Sequence, residues 1–311
     1  MIWPRPWIRP AGVLGLAAAL SVTPGFAQVR GVYPLGMTAT NSGVLAQPGF
    51  TYVNTFLFYA RDRLVGPNGE VLATGQNSVL MDMNTFVWVS TKRLRALGDA
   101  RFSFAVTLPI ANNSLSSDAQ GAMSGGGGFA DSYYQVIVLG WQIQRADIKA
   151  IYGFLAPTGR FQAGASDNVG SGYWTHTLSV GETIWLTKSR ATAFSAFEIY
   201  EFHSTQEGTE IHPGQTLSVD FSLTHTVPLR TDMSLQLALV GYSQWQTTAK
   251  SGPTVTPEQA AARYRVNALG FGFNVMLPAR KVSVGARYYA EIASRSTLQG
   301  YSVQIAAAIA F

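Results

Sequence analysis

The chain has 311 residues and no cysteine, which excludes disulfides, thiolate metal ligands, a cysteine nucleophile and a lipid-modified leader. Only 13% of its residues are charged, against about 25% in an ordinary soluble domain, while 47% are hydrophobic and 12% aromatic. The net charge of +5 falls to +3 when Arg5 and Arg9 leave with a leader, and the remaining Lys and Arg are scattered without a stripe, which argues against nucleic acid as a partner.

The leader comes first in the chain. Arg5 and Arg9 precede an apolar run from Ala11 to Val22, followed by Pro24-Gly25-Phe26-Ala27. A positive stretch, an apolar stretch and a small-x-small site predict a signal peptide over residues 1–27, cut after Ala27. The run is too short to be a spanning helix, which needs about 20 apolar residues. One domain is expected over 28–311, since no linker or change of composition interrupts it.

Strands follow. Successive side chains of a strand point to opposite faces, and the alternating segments are 49–60, 79–90, 100–110, 131–143, 146–157, 173–186, 190–203, 215–228, 233–246, 263–277, 281–294 and 299–311. Each is long enough to cross a bilayer as a tilted strand. Phe102, Phe104, Val106 and Leu108 share one face, as do Leu217, Val219, Phe221 and Leu223. Glu182, among Leu178, Val180 and Ile184, breaks the pattern unless a bulge intervenes.

The connectors alternate in length. Segments 61–78, 111–130, 158–172, 204–214 and 247–262 are long and rich in turn residues, whereas 144–145, 187–189, 229–232 and 278–280 are short, with 91–99 the longest of that set. Long external loops and short periplasmic turns are the habit of outer-membrane barrels. An even number of strands then places both termini in the periplasm. A sheet in lipid cannot leave an unpaired edge, so it must close. The expected fold is all-β: a transmembrane, antiparallel, up-and-down β-barrel of about 12 strands. Tyr52, Trp88, Trp141, Trp174, Trp185 and Trp245 fall near strand ends and are candidates for interfacial girdles.

The final strand carries Tyr301, Val303, Ile305, Ala307, Ile309 and Phe311 on one parity and only Ser302 and Gln304 as polar residues on the other. This ending resembles the closing strand of bacterial outer-membrane barrels, in which a terminal Phe serves as a signal to the assembly machinery. Several internal motifs carry a narrower likeness. They are Gly153-Phe154-Leu155-Ala156-Pro157-Thr158-Gly159-Arg160, Asn168-Val169-Gly170-Ser171-Gly172-Tyr173-Trp174-Thr175-His176, Glu201-Phe202-His203-Ser204, Glu207-Gly208-Thr209, Pro213-Gly214-Gln215 and Gly241-Tyr242-Ser243-Gln244-Trp245-Gln246. Together they resemble the outer-membrane transporter family of the meta-pathway of phenol degradation, densest from 130 to 250. The resemblance implies a barrel linked to uptake of aromatic or other hydrophobic compounds. It supplies no catalytic constellation.

Polar residues on the parity opposite the apolar face are the candidates for a lumen: Asp82, Asn84, Gln135, Lys149, Glu198, Asp220, Arg287 and Glu291. Such residues either pair across a filled barrel or line a permeation path. Asn168, Trp174 and His176, where a long loop enters a strand, are candidates for ligand contact or a constriction, although Asn and Gly also suit tight turns. Gly125–Gly128 would make 111–130 a mobile external loop, without the helix that a phosphate loop requires.

Enzyme chemistry finds no support. In twelve-stranded outer-membrane phospholipases a His and a Ser stand two residues apart on one strand face, whereas here Ser204 follows His203 directly and points the other way. The four histidines (176, 203, 212, 225) match no metal-ligand spacing, and no cofactor is expected. The expected function is passive transport of a small hydrophobic or aromatic solute across the bacterial outer membrane. Its partners would be membrane lipid and lipopolysaccharide, the assembly machinery at Phe311, and the solute. The alternative is a non-transporting structural or adhesive barrel, plugged by its own charged side chains.

Overall fold

A computed structural model describes residues 30–119 and 121–311. The leader expected over 1–27 lies outside the described residues. The strands are β1 (Gly49–Val65), β2 (Val71–Leu94), β3 (Ala100–Ser117), β4 (Gly121–Phe129), β5 (Ser132–Gln142), β6 (Ala146–Ala156), β7 (Thr175–Trp185), β8 (Thr192–His203), β9 (Thr216–Arg230), β10 (Met233–Gln246), β11 (Arg265–Leu277), β12 (Val282–Arg295) and β13 (Thr297–Ala310). A short helix, α1 (Pro257–Ala261), opens on a capping box between Thr256 and Gln259. No described helix is long and apolar enough to cross a membrane.

The sheet closes into an antiparallel barrel of twelve staves. β4 and β5 share one stave, because β3 pairs with β4 from Ile110 to Ser117 and with β5 from Arg101 to Thr107. Gly125–Gly128 therefore lie in a paired strand, not in an open loop. Gly tolerates the strand because Gly126 packs against the Asp167 backbone, where a side chain would collide. Closure comes from β1, which pairs with β13 from Thr51↔Ala310 to Val65↔Thr297, and the Phe311 amide donates to the Phe50 carbonyl at 2.9 Å.

Alternation fixes two faces. In β1, Thr55, Leu57 and Tyr59 point inward and are buried, while Phe56 points outward and is 44% exposed. In β13, Ser302 and Gln304 are buried inside, and Tyr301 and Ile305 lie outside. Leu178, Leu239 and Phe271 belong to the same apolar outer belt. β7 keeps unbroken register with both neighbours, so no bulge hides Glu182, which joins Val180 and Ile184 on the outer face.

One end of the barrel carries the short turns (95–99, 143–145, 186–191, 231–232, 278–281) and the other the longer loops and extended hairpins. Residues 30–48, for which the strand pattern predicts no element, do not lie outside. They run down the inside of the barrel, from Arg30 near the loop end to Leu45 near the short-turn end, before β1 begins.

Candidate functional site

Two flanks of the lumen wall hold this internal segment, and they differ in chemistry. On the flank from β6 to β13, wall side chains reach its backbone. The Glu201 carboxylate accepts from the Tyr33 amide at 2.8 Å. Asp220 accepts from the Tyr33 hydroxyl (2.7 Å), the Gly36 amide (2.9 Å) and the Thr38 amide (3.2 Å). Arg287 donates to the Met37 carbonyl and the Thr40 hydroxyl at 3.3 and 2.6 Å. Gln304 donates to the Leu35 carbonyl (2.8 Å), Tyr289 to the Gly36 carbonyl (2.9 Å) and Ser222 to the Ala39 carbonyl (2.6 Å). An irregular segment carries backbone groups with no ladder to satisfy them, so this wall does what secondary structure does elsewhere.

The upper end is fastened by charge. Arg30 meets Glu291 with both terminal guanidinium nitrogens, at 2.5 and 2.9 Å, and donates to the Thr297 hydroxyl at 3.1 Å and to the Leu298 carbonyl. Arg61 stands 3.7 Å from the same carboxylate, and the Tyr242 hydroxyl donates to it at 3.1 Å. A buried ion pair is stable only when its remaining donors and acceptors are also met, and both Glu291 oxygens accept hydrogen bonds here. Lower down, the Gly43 amide donates to Thr183, and Asn41 exchanges hydrogen bonds with Gln236. Gly36 sits at φ 80° with the Tyr289 ring beneath it, a position only glycine fills without strain.

Around these bonds Tyr33, Leu35 and Ala39 pack into one buried cluster with inward residues including Val138, Ile151, Phe197, Val240 and Tyr289. The flank of β1 and β2 is of another kind. There Met37 packs against a cluster of Leu57, Tyr59 and Met83, on which Val79 and Met81 also pack. No hydrogen bond joins the segment to β1 or β2 among the described residues. This seam is held by dispersion and burial alone.

The wall places the predicted residues in two groups. Asp220, Arg287 and Glu291 come together on the internal segment. Lys149 faces inward between Gly140 and Gly181, and Gln135 faces inward beside Gly153. Asp82, Asn84 and Glu198 do not line the lumen. Asp82 is opposite Phe56 and shares the outer face with Asn84, where they bond Asn54 (2.5 Å) and Tyr52 (2.6 Å). Glu198 pairs in register with Val180 on the outer face of β8, near Glu182. The apolar side chains of those strands, Met81, Met83, Phe197 and Ile199, point inward instead.

The loop candidates are corrected too. Trp174 and His176 lie outside the barrel and form no constriction: Trp174 packs on Phe154 with ring centroids 5.9 Å apart, and His176 accepts or donates at the Tyr152 hydroxyl, 3.0 Å away. Asn168 folds its own loop through Gln162 and Ala165, and its carbonyl accepts from Asn113. Among the girdle candidates, Trp185 turns inward and donates to Asp147 at 2.8 Å. His203 is buried against the Thr175 hydroxyl at 2.8 Å. Among the described residues, no group of three or more His, Asp or Glu is placed to hold a metal ion.

Sequence reasoning missed Arg30, Tyr33 and Glu201. Glu201 was hidden by the strand pattern, because it shares parity with the apolar Phe197 and Ile199, which the register turns inward. Nothing periodic marks residues 30–48.

The family model of the MetA-pathway of phenol degradation matches residues 61–307. The COG4313 outer membrane channel from Pseudomonas putida F1 covers 90% of this chain and 100% of its own, with a TM-score of 0.72 and 14% identity. The beta domain of the Bordetella autotransporter BrkA covers 85% of this chain and 100% of its own, with a TM-score of 0.50 and 11% identity. At these identities the likeness is one of fold. No curated protein matches the sequence.

Proposed function

We propose that this chain, which belongs to the family of the MetA-pathway of phenol degradation, is a passive outer-membrane channel for small hydrophobic or aromatic compounds, closed at rest by its own residues 30–48. The observation that carries this reading is the seam of Met37 against the cluster of Leu57, Tyr59 and Met83. A hydrophobic solute entering there replaces one apolar contact with another and breaks no hydrogen bond. Methionine suits such exchange, being unbranched and adaptable. Transport follows the solute gradient, and the barrel itself performs no covalent chemistry.

In this reading the short-turn end faces the periplasm, with Phe311 at that end offered to the assembly machinery. The first described residue, Arg30, then lies inside the lumen, so the periplasmic placement applies to the start of β1 and to the C-terminus. Trp174, His176 and Trp245 ring the opposite rim, at the depth of lipopolysaccharide.

A second reading, a barrel that transports nothing, draws on the core-like packing of Tyr33 and Leu35. Planar-bilayer recording of the wild type and of Arg30→Ala separates the two. Breaking one side of a buried ion pair costs about 3–5 kcal/mol, so the variant should open far more often than the wild type. Two folded, silent proteins would favour the second reading.

A further inference from the structure

Above the Arg30–Glu291 pair, the loop-side mouth holds a cavity of about 210 Å³. Its lining includes Leu64, Leu115, Met123 and Leu298, together with two cationic side chains, Arg61 and Lys250. It lies directly over the fastened end of the internal segment, because Leu298 accepts from Arg30 and Arg61 flanks Glu291. It also continues the apolar flank upward, since β1, β2 and β3 supply most of its wall.

The charge around it does not balance. Arg30 and Arg61 share the single carboxylate of Glu291, which leaves one positive charge over. Arg61 Nε has no hydrogen-bond partner and the guanidinium lies over the Tyr59 ring, 4.3 Å from its centre. Lys250 forms no ion pair among the described residues, and burial pushes its amine down. Asp62, the one carboxylate in the lining, is 72% exposed and turned to Arg63. Two under-neutralised cations facing apolar walls specify a ligand with a hydrophobic body and one anionic group. An apolar cavity of about 150 Å³ accepts benzene, so this one has room for a single ring and a carboxylate.

We propose that this cavity is a binding site for small aromatic monocarboxylates, with the ring against Leu115, Met123 and Leu298 and the carboxylate between Arg61 and Lys250. The assignment rests on the channel reading above and names the class of solute that the channel would collect. A carboxylate at Arg61 also competes with Glu291 for that guanidinium, which couples occupancy of the mouth to the fastening below it.

The test uses purified full-length protein in detergent, with equilibrium dialysis of benzoate, benzyl alcohol and acetate. Benzoate should bind saturably and at least tenfold more tightly than benzyl alcohol, which keeps the ring, or acetate, which keeps the charge. Lys250→Gln, on a loop outside the strands, should weaken benzoate about tenfold, the scale of one lost charged contact. Leu115→Trp, which fills the cavity and leaves both cations in place, should abolish binding. Equal affinity for benzyl alcohol overturns the anion site, and unchanged benzoate binding in both variants moves it elsewhere. Benzyl alcohol flux through Arg30→Ala in liposomes reads the channel independently: its absence sinks the transport reading, whatever benzoate does.

Discussion

From β8 to β13 the barrel wall meets the internal segment with Glu201, Asp220, Arg287, Glu291 and Gln304, each bonded to a particular atom of it. Along β1 and β2 the same segment meets the cluster of Leu57, Tyr59 and Met83, with contact and no hydrogen bond among the described residues. Directional bonds fix a position, because a shift of an ångström or two breaks them. Apolar contact fixes only proximity and is indifferent to which apolar partner supplies it. One flank therefore decides where the segment sits, and the other decides what can slide past it.

The sharpest way to break that contrast is Asp220→Ala. It strands the Gly36 amide, at about 1–3 kcal/mol for a buried group left unpaired, and leaves the Thr38 amide and the Tyr33 hydroxyl bonded only within the segment. Hydrogen exchange across 33–39 should accelerate at least 30-fold, the equivalent of about 2 kcal/mol. Unchanged protection would mean that the polar flank does not position the segment. Met83→Ala probes the opposite flank. Truncating a buried Met costs about 2–5 kcal/mol in thermal stability, yet protection at 33–39 should stay within about threefold of wild type, because no bond to the segment is lost. Combined with Arg30→Ala, it should raise benzyl alcohol flux above that of Arg30→Ala alone, and lower flux would contradict a path along this seam.

The smallest effect is expected outside. Replacing the paired Asn54 and Asp82 by Leu removes a charge from the lipid-facing surface, where acidic residues cost less than the roughly 2–4 kcal/mol of a basic one. The double variant should resist urea slightly better, by about 1 kcal/mol, with unaltered exchange at 33–39. A loosened segment in that variant would show that the outer face reaches the lumen.

The strand pattern was legible because each stave repeats the same in-and-out choice and each loop marks its end. β10, expected over 233–246, is found at Met233–Gln246. What the pattern concealed was the sense of the choice in β2 and β8. A water-filled lumen would demand polar residues inside, and Asp82, Asn84 and Glu198 look like such residues. The internal segment turns part of the lumen into a protein core, so Met81, Met83, Phe197 and Ile199 point inward and both parities become apolar. The segment itself has no period to detect, and its partners stand 168 residues away at Glu201 and 269 at Gln304.

Those separations carry a consequence for how each copy matures. Contacts between distant parts of a chain form late, because closing a long loop comes before any reward. Arg30 and Leu35 find partners on β12 and β13, the last strands to emerge and the ones that complete the cylinder against β1. The bonds of Arg30 and Leu35 thus cannot form before β12 and β13 are in place, whereas those to Glu201 and Asp220 need only β8 and β9. Slow, sequence-distant docking of this kind makes the kinetics of assembly, rather than the strength of any single bond, the stage at which an open pore would be exposed.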